Sequence, residues 1–291
     1  MKQHLYGSVC NLCDSPGCFE DSLDVAQIPG CMRKFQHEQF TVWRCNHCSS
    51  LHCLADDLDL DRYYAHYLPH QQTMDFYARC HLQNLLRILR RIGMTKDSKI
   101  LDYGCSNGTV IRYLEQNGFP HVVGYDPYVD EFASESVLAE RYDCVLMLTV
   151  IEHVEDPRAV FKEVLECVDT NGLYVIATPR AEKIELVANA MELHQPYHLH
   201  IPSEKALLNM GEQAGLDTIM FMRRHWKDTL YPTVNMRFVA EYYRRVGGVI
   251  DGLCEPPRWR ALMSPRLWWY MFAGYLFPTG SNMVVAFRNH D

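Results

Sequence analysis

From residue 99 onward, short apolar segments of strand length alternate with segments that have helical periodicity. A strand is predicted over residues 99–103, a helix over 109–116 and a second strand over 122–126. Strand, helix and strand in this order form a βαβ unit, whose two strands run parallel in one sheet. The pattern therefore predicts an α/β domain with helices packed on a parallel sheet.

The alternation continues toward the end of the chain. Asp156 and Pro157, residue types favoured at the N-cap and in the first helical turn, begin a further helix. The remaining predicted elements are strands at 143–147, 173–177, 218–222 and 283–287 and a helix at 203–214. An aromatic segment, residues 226–280, stands before the last strand and is interpreted as an insertion with two candidate helices.

A glycine-bearing loop, Gly-Cys-Ser-Asn-Gly at residues 104–108, follows the first strand. Its glycines let the backbone approach a ligand at a helix N-terminus. Asp126 ends the second strand, where a carboxylate can accept hydrogen bonds from both hydroxyls of a ribose. The loop lacks the G-x-G-x-x-G spacing of dinucleotide sites, and Asp102 can bind an amino group. These features favour S-adenosylmethionine over NAD.

Four motifs occur in a fixed order. They are Leu-Asp-Tyr-Gly-Cys-Ser-Asn-Gly at 101–108, Gly-Tyr-Asp-Pro at 124–127, a segment at 142–157 that contains Glu-His, and Asn-Gly-Leu-Tyr-Val-Ile-Ala-Thr-Pro at 171–179. Together they resemble the class I S-adenosylmethionine-dependent methyltransferases. The resemblance implies a Rossmann-like fold with a seven-stranded sheet, although the stretch between Asp126 and Asp143 is unusually short. The cofactor-binding residues that it implies are Asp102, Gly104, Cys105, Ser106, Gly108, Asp126, Pro127 and Leu148.

Histidines follow two of the predicted strands. Transfer to a hydroxyl requires a base near neutrality, for which His153 is the first candidate, with Glu152 to orient it. The alternative is that both residues only stabilise their loop. A second group, His194, His198 and His200, follows the next strand, and an extended backbone would direct His198 and His200 to the same side. His198 is therefore the second catalytic candidate.

Two C-x-x-C pairs stand near the start of the chain. Four thiolates from such pairs, here Cys10, Cys13, Cys45 and Cys48, form a closed tetrahedral zinc site. Substitute ligands are Cys18, Cys31, Cys53, His37 and His52, and the alternative to a metal site is a set of free structural cysteines. Because the zinc would have four protein ligands, its predicted role is structural.

The cysteine pairs and the Tyr-rich segment after them, residues 62–67, resemble the front end of small-molecule methyltransferases from sugar and natural-product pathways. We therefore expect a zinc module over residues 1–60, a linking helical segment over 61–94 and a methyltransferase domain over 95–291. Within that domain, residues 226–280 are interpreted as a lid over an apolar or aromatic acceptor. Core packing and peripheral membrane contact are the alternatives for this insertion.

The net charge of -8 disfavours nucleic acid as a partner. No amino-terminal stretch resembles a signal peptide and no apolar run reaches the length of a transmembrane helix, so a cytoplasmic protein is expected. The leading functional hypothesis is O-methylation of a small molecule in a biosynthetic tailoring pathway. C- or N-methylation, RNA base methylation and a non-catalytic zinc scaffold are the alternatives, and the sequence leaves the oligomeric state open.

Overall fold

The computed structural model describes residues 7–54, 58–66, 74–187 and 190–290. Parts of the predicted zinc module and linking segment, including Tyr67, lie outside these residues. The strands are β1 (Val25–Pro29), β2 (Gln39–Arg44), β3 (Leu51–Leu54), β4 (Ile100–Tyr103), β5 (Val122–Tyr125), β6 (Tyr142–Leu148), β7 (Val168–Pro179), β8 (His200–Ile201), β9 (Asp217–Met222) and β10 (Asn282–Arg288).

Several helices begin where the sequence offers a capping side chain. The Asp156 side chain accepts hydrogen bonds from first-turn N–H groups of α4, as predicted, and the Ser203 side chain caps α6 in the same way. The helices are α1 (Leu60–Tyr64), α2 (Phe76–Arg91), α3 (Thr109–Gln116), α4 (Pro157–Leu165), α5 (Ala190–Leu193), α6 (Glu204–Gln213), α7 (Met236–Arg245), α8 (Asp251–Cys254), α9 (Trp259–Leu262) and α10 (Pro265–Ala273). Within the described residues, no helix combines the length and apolar character needed to span a membrane.

The larger sheet has the strand order β5-β4-β6-β7-β10-β9. Strands β5, β4, β6 and β7 are parallel, whereas β10 runs antiparallel to both β7 and β9. This arrangement confirms the α/β, Rossmann-like prediction, and the last two predicted strands pair with each other as β9 and β10.

The expected seventh strand is absent from the sheet in the described part of the chain. Between β5 and β6 the chain forms only short 3-10 turns at Asp130–Phe132 and Glu135–Ala139. A segment of this length cannot supply a crossover helix and a further edge strand. The prediction of seven strands is therefore wrong, and β5 forms the edge of a six-stranded sheet.

Apolar side chains cover both faces of the larger sheet. Alternate residues of β4 point to opposite faces, so Ile100 packs with α2 and α3 and Leu101 packs on the α4 and α6 side. The leucines of α2 recur at helical spacing, and its apolar face is buried through Leu82, Leu85, Leu86 and Leu89. The predicted linking helix is thus part of the core of the larger domain.

A second, antiparallel sheet joins the amino-terminal segment to the larger domain. Its strand order is β1-β2-β3-β8. Strand β8 lies between β7 and β9 in the sequence, and so belongs to the part of the chain that forms the larger domain. Register places His52 opposite His200, and their Nδ1 atoms lie 2.8 Å apart. His200 Nε2 donates to the Glu155 carbonyl, so its Nδ1 accepts the proton of His52. The division into a zinc module and a methyltransferase domain stays a prediction. His52 and His200 form a buried contact between these two parts of the chain.

The segment 226–280 contains four short helices rather than the two expected. Tyr243 of α7 packs in one apolar cluster with Phe35, Tyr63 and Tyr197, which come from the amino-terminal segment, α1 and the loop before β8. Helix α10 packs against α7. The segment is therefore anchored beside the junction of the two sheets.

We predict that His52→Ala lowers the free energy of unfolding by about 1–3 kcal/mol, because it removes the buried hydrogen bond between His52 and His200. Urea unfolding followed by tryptophan fluorescence and circular dichroism measures this change. His37→Ala is the matched control, since that side chain is 76% exposed. Unchanged stability of His52→Ala, or separate unfolding of the two sheets, would contradict the prediction.

Candidate active site

The loop between β4 and α3, residues 104–108 and here called the cofactor loop, requires glycine at both ends. Gly104 and Gly108 have φ angles of 76° and 71°, in the left-handed region. A Cβ atom on Gly104 would lie 2.4 Å from a methyl of Val150, and one on Gly108 would lie 2.6 Å from the Phe132 ring. The loop backbone thus passes closely beneath the segments that follow β5 and β6.

Asp126 holds the cofactor loop in place. Its Oδ2 accepts a hydrogen bond of 2.8 Å from the Ser106 N–H, and its Oδ1 accepts one of 3.0 Å from the Tyr128 N–H. Each carboxylate oxygen has a second lone pair, so Asp126 can still accept from the hydroxyls of a ribose. Pro127 is exposed beside it.

Asp102 lies at the end of β4 and is only 3% exposed. Burial, together with the nearby carboxylate of Asp126, raises the pKa of Asp102 to about 7. A cationic group bound beside this carboxyl would favour its ionised form and so gain from the interaction. The position suits the amino group predicted to bind there.

Two other predicted cofactor residues have buried side chains. Cys105 packs against Gly124, because a Cβ atom on that glycine would lie 2.6 Å from the Cys105 Sγ. Only the backbone of Cys105 is therefore placed to contact a ligand in the loop. Leu148 ends β6 in the apolar cluster that also contains Cys105, and it is 8% exposed.

Glu152 follows β6 and is completely buried. Its Oε2 accepts a hydrogen bond of 3.0 Å from the Thr178 hydroxyl, whereas its Oε1 has no partner among the described residues. Burial raises the pKa of Glu152 to about 8. A cation beside this carboxyl would lower that pKa, and the site therefore favours positive charge.

His153 and His198 meet next to Glu152. The two ring centroids are 4.8 Å apart, and one ligand atom from each of Glu152, His153 and His198 lies within 4.8 Å of the others. Here these three residues are called the Glu-His cluster. Such a set can take up a proton or hold a divalent cation.

Backbone carbonyls orient both rings of the Glu-His cluster. His153 Nδ1 lies 3.0 Å from the Tyr197 carbonyl, and His198 Nδ1 lies 2.8 Å from the Glu192 carbonyl. Because a carbonyl only accepts, each Nδ1 carries the proton and each Nε2 is the basic atom. Burial and the neighbouring His153 and His194 rings hold the pKa of His198 well below 6.5.

His200 does not join this cluster. The His200 ring contacts His52 and the Glu155 carbonyl instead. Of His198 and His200, only His198 contacts the His153 ring. The expectation that His198 and His200 point the same way is wrong, because the chain bends at residue 199 before β8 and His200 pairs with β3.

Tyr64 is a site residue that the sequence did not single out. Its hydroxyl lies 3.2 Å from His153 Nδ1, and its ring is stacked on Tyr128 with an interplanar angle of 10°. Burial, and then the charges of Tyr128, Glu152 and Asp126, raise its pKa. Tyr64 therefore lies between the cofactor loop and the Glu-His cluster. The only sequence signal for it was the Tyr-rich segment 62–67.

The four cysteines of the two C-x-x-C pairs converge as predicted. The Cys10 Sγ lies 3.7 Å from the sulfurs of both Cys13 and Cys48, and all four sulfurs lie within 4.8 Å of one another. A disulfide requires about 2.05 Å, whereas a tetrahedron with metal–sulfur bonds of about 2.3 Å has edges of about 3.8 Å. The spacing in this cysteine cluster fits a zinc ion.

The alternative ligands lie elsewhere. The Cys18 thiol contacts Asp21, and Cys31 and Cys53 are buried in another apolar cluster. His37 is exposed, and His52 pairs with His200.

Comparison with known proteins places this site in a family. A family described as a methyltransferase domain matches residues 64–220. The tRNA U34 carboxymethyltransferase of Aliarcobacter butzleri is 26% identical over 148 residues, covering 43% of this chain and 49% of that protein. The ubiquinone biosynthesis O-methyltransferase of Bradyrhizobium diazoefficiens is 28% identical over 112 residues, covering 32% of this chain and 44% of that protein. The chain spans about half the length of these curated relatives.

Solved structures give a weaker likeness. Coclaurine N-methyltransferase bound to N-methylheliamine and SAH has a TM-score of 0.45 at 16% identity, covering 75% of this chain and 72% of that one. The match to the family is the firmer finding, since it extends over more than half of the residues. The chain belongs to the methyltransferase-domain family, and the prediction of a class I S-adenosylmethionine-dependent methyltransferase is confirmed.

Proposed function

We propose that the protein methylates a hydroxyl of a small molecule bound beside the Glu-His cluster. The observation that carries this proposal is the position of His153, whose ring belongs to a cluster at the carboxyl end of β6, next to the cofactor loop. A hydroxyl acceptor must lose its proton during transfer, and a neutral histidine takes up that proton near pH 7.

The cofactor half of the site would hold S-adenosylmethionine, which supplies an electrophilic methyl group when bound. Asp126 would accept hydrogen bonds from the ribose hydroxyls, and the buried carboxyl of Asp102 would bind the amino group. Gly104, Ser106 and Gly108 bring the loop backbone to the ligand. Asp102 and Asp126 together suit a cofactor that carries positive charge.

The acceptor half of the site would bind and deprotonate the substrate. Tyr197 fixes the tautomer of His153 through its carbonyl, and Tyr64 contacts the same ring. As His153 gains a proton, the adjacent Glu152 carboxyl loses its own more readily, because the imidazolium favours the carboxylate. Glu152 and His198 are therefore positioning residues for His153.

Aromatic side chains around this half favour an apolar or aromatic acceptor. Tyr64, Tyr128 and Tyr197 surround the approach to His153. The insertion contributes Tyr243, which packs against the cluster that contains Tyr197. In this proposal α7 backs the acceptor pocket and acts as the lid, whereas α10 does not line the pocket.

RNA methylation is the second candidate. Helix α2 carries three exposed arginines, Arg79, Arg87 and Arg90. All three lie near Tyr113, where burial raises the pKa of the tyrosine and the three positive charges partly offset that rise. A row of arginines can neutralise a phosphate backbone despite a net charge of -8. The tRNA-modifying relatives add weight to this alternative.

The cysteine cluster would hold a structural zinc ion. With four thiolates as ligands, the ion has no open position for substrate. Its role would be to fix the segment that carries β2 and β3, and through β3 the His52 contact with His200.

We predict that His153→Ala lowers kcat about 100-fold or more and leaves the Kd for S-adenosylmethionine unchanged, because the base is lost while the cofactor loop is intact. Methyl transfer to a panel of phenols, other hydroxylated small molecules and tRNA, combined with calorimetric cofactor binding, measures both quantities. His121→Ala is the control, since this histidine is exposed outside the cluster.

Unchanged turnover of His153→Ala would remove the proposed base, and unchanged turnover of His198→Ala would remove the positioning role of that ring. Methylation of tRNA but of none of the small molecules would replace the leading proposal with the RNA candidate.

We also predict that Cys45→Ser loses the bound zinc and unfolds at a lower temperature, because structural zinc contributes to folding free energy. Elemental analysis and thermal unfolding measure the two effects. Cys18→Ser, which changes a thiol outside the cluster, should retain the metal. Purified wild-type protein without zinc, or full zinc retention in Cys45→Ser, would disprove the zinc assignment.

A further inference from the structure

A group of large apolar side chains on α9, α10 and the turn after α10 is exposed. Each is between 47% and 70% exposed. Here this group is called the tryptophan face; its members are Trp259, Met263, Trp268, Trp269, Phe272, Leu276 and Phe277. It contains three of the five tryptophans of the chain, and apolar patches of this kind on soluble domains mark interaction surfaces.

Spacing along the helix and side-chain contacts bring members of the tryptophan face together. Trp268, Phe272 and Leu276 are four residues apart and so lie on one side of α10 and its extension. The ring centroids of Trp269 and Phe277 are 6.5 Å apart, and the Trp268 indole N–H donates to the Leu262 carbonyl at 2.6 Å. Helix α10 is fixed from below by its buried Leu267 and its contact with α7.

Positive charge borders this face. Residues 236–277 contain six arginines and three acidic residues, a net charge of +3 in a chain of net charge -8. The guanidinium of Arg260 lies 5.3 Å from the Trp259 ring centroid, and that of Arg266 lies 5.4 Å from the Tyr270 centroid. Arg258 and Arg266 also pair with Glu255 and Glu241. Arg260 has no acidic partner in the described ranges.

We propose that the tryptophan face docks on the surface of a bilayer that contains anionic phospholipid. Tryptophan prefers the membrane interface, because its ring is apolar and its indole N–H is polar. Arginines at the border of the face are complementary to anionic headgroups. Helix α10 is about 14 Å long, well short of the roughly 30 Å hydrocarbon core, so it lies on the membrane rather than across it.

A second copy of this chain fits the face less well. In a two-fold dimer the same surface patch meets itself, so the bordering arginines of both copies would be brought together. That arrangement repels, whereas an anionic surface attracts the same groups. Charge therefore favours the membrane as the occupant.

Co-sedimentation of the full chain with phosphatidylcholine vesicles, with and without phosphatidylglycerol, tests this proposal. We expect binding to the anionic vesicles, a blue shift of tryptophan emission and weaker binding as salt concentration rises. The triple variant Trp268→Ser, Trp269→Ser, Phe272→Ser should bind these vesicles at least about tenfold more weakly. Phe76→Ser, which removes a side chain exposed on α2 to 60%, is the control and should bind as the wild type does.

Three outcomes would overturn the proposal. They are no binding to anionic vesicles, equal binding by the triple variant and the wild type, and a stable dimer that the triple variant dissociates. Light scattering measures the dimer. Thermal unfolding of the triple variant verifies that it is folded, and Arg260→Glu, which leaves the apolar face intact, should also weaken binding to anionic vesicles.

Discussion

The backbone carbonyl of Glu152 joins the two halves of the molecule. It accepts hydrogen bonds of 2.8 Å from the Leu199 N–H and 3.2 Å from the His200 N–H. These bonds hold the loop before β8 against the end of β6, and so bring His198 to His153. They also position β8 so that it pairs with β3, where His200 contacts His52. One junction therefore assembles the Glu-His cluster and fixes the amino-terminal sheet.

Charge is the second organising feature of the site. Asp102 and Glu152 are both buried at the carboxyl ends of neighbouring parallel strands, and burial raises the pKa of each. Carboxyls in such surroundings cost free energy when they ionise without a cation nearby. A positively charged ligand on the cofactor side, and an imidazolium on the acceptor side, would each offset that cost. The site is thus electrostatically prepared for methyl transfer from a cationic donor.

Local patterns in the sequence predicted the parts of the fold that local physics determines. Helix α3 has the predicted bounds, because a left-handed glycine precedes it and its apolar residues recur at helical spacing. The cysteine cluster also followed from residue spacing. The pairing of β8 with β3 could not be predicted, since a strand of two residues carries no periodicity and its partner is far away in sequence.

Other differences have similar physical causes. The seventh strand was expected from the resemblance, but the segment after Asp126 is too short to form it. Tyr64 contacts His153 only because α1 folds back over the site, which no spacing in the sequence reveals. The sequence pattern of the aromatic residues in α10 is equally compatible with a lid, with a buried core helix and with an exposed surface. Their exposure depends on how α10 packs against α7.

Calorimetric titration with S-adenosylmethionine, in buffers of different ionisation enthalpy on either side of pH 7, tests whether the buried Asp102 carboxyl binds the cationic amino group of the cofactor. We predict micromolar binding with proton release near pH 7, because a cationic amino group lowers the pKa of Asp102 from about 7. Below pH 7 the neutral carboxyl should bind more weakly, by up to about tenfold per pH unit. Asp102→Asn should abolish the pH dependence. A folded protein that does not bind the cofactor, or an affinity that neither pH nor Asp102→Asn changes, would contradict this role of Asp102.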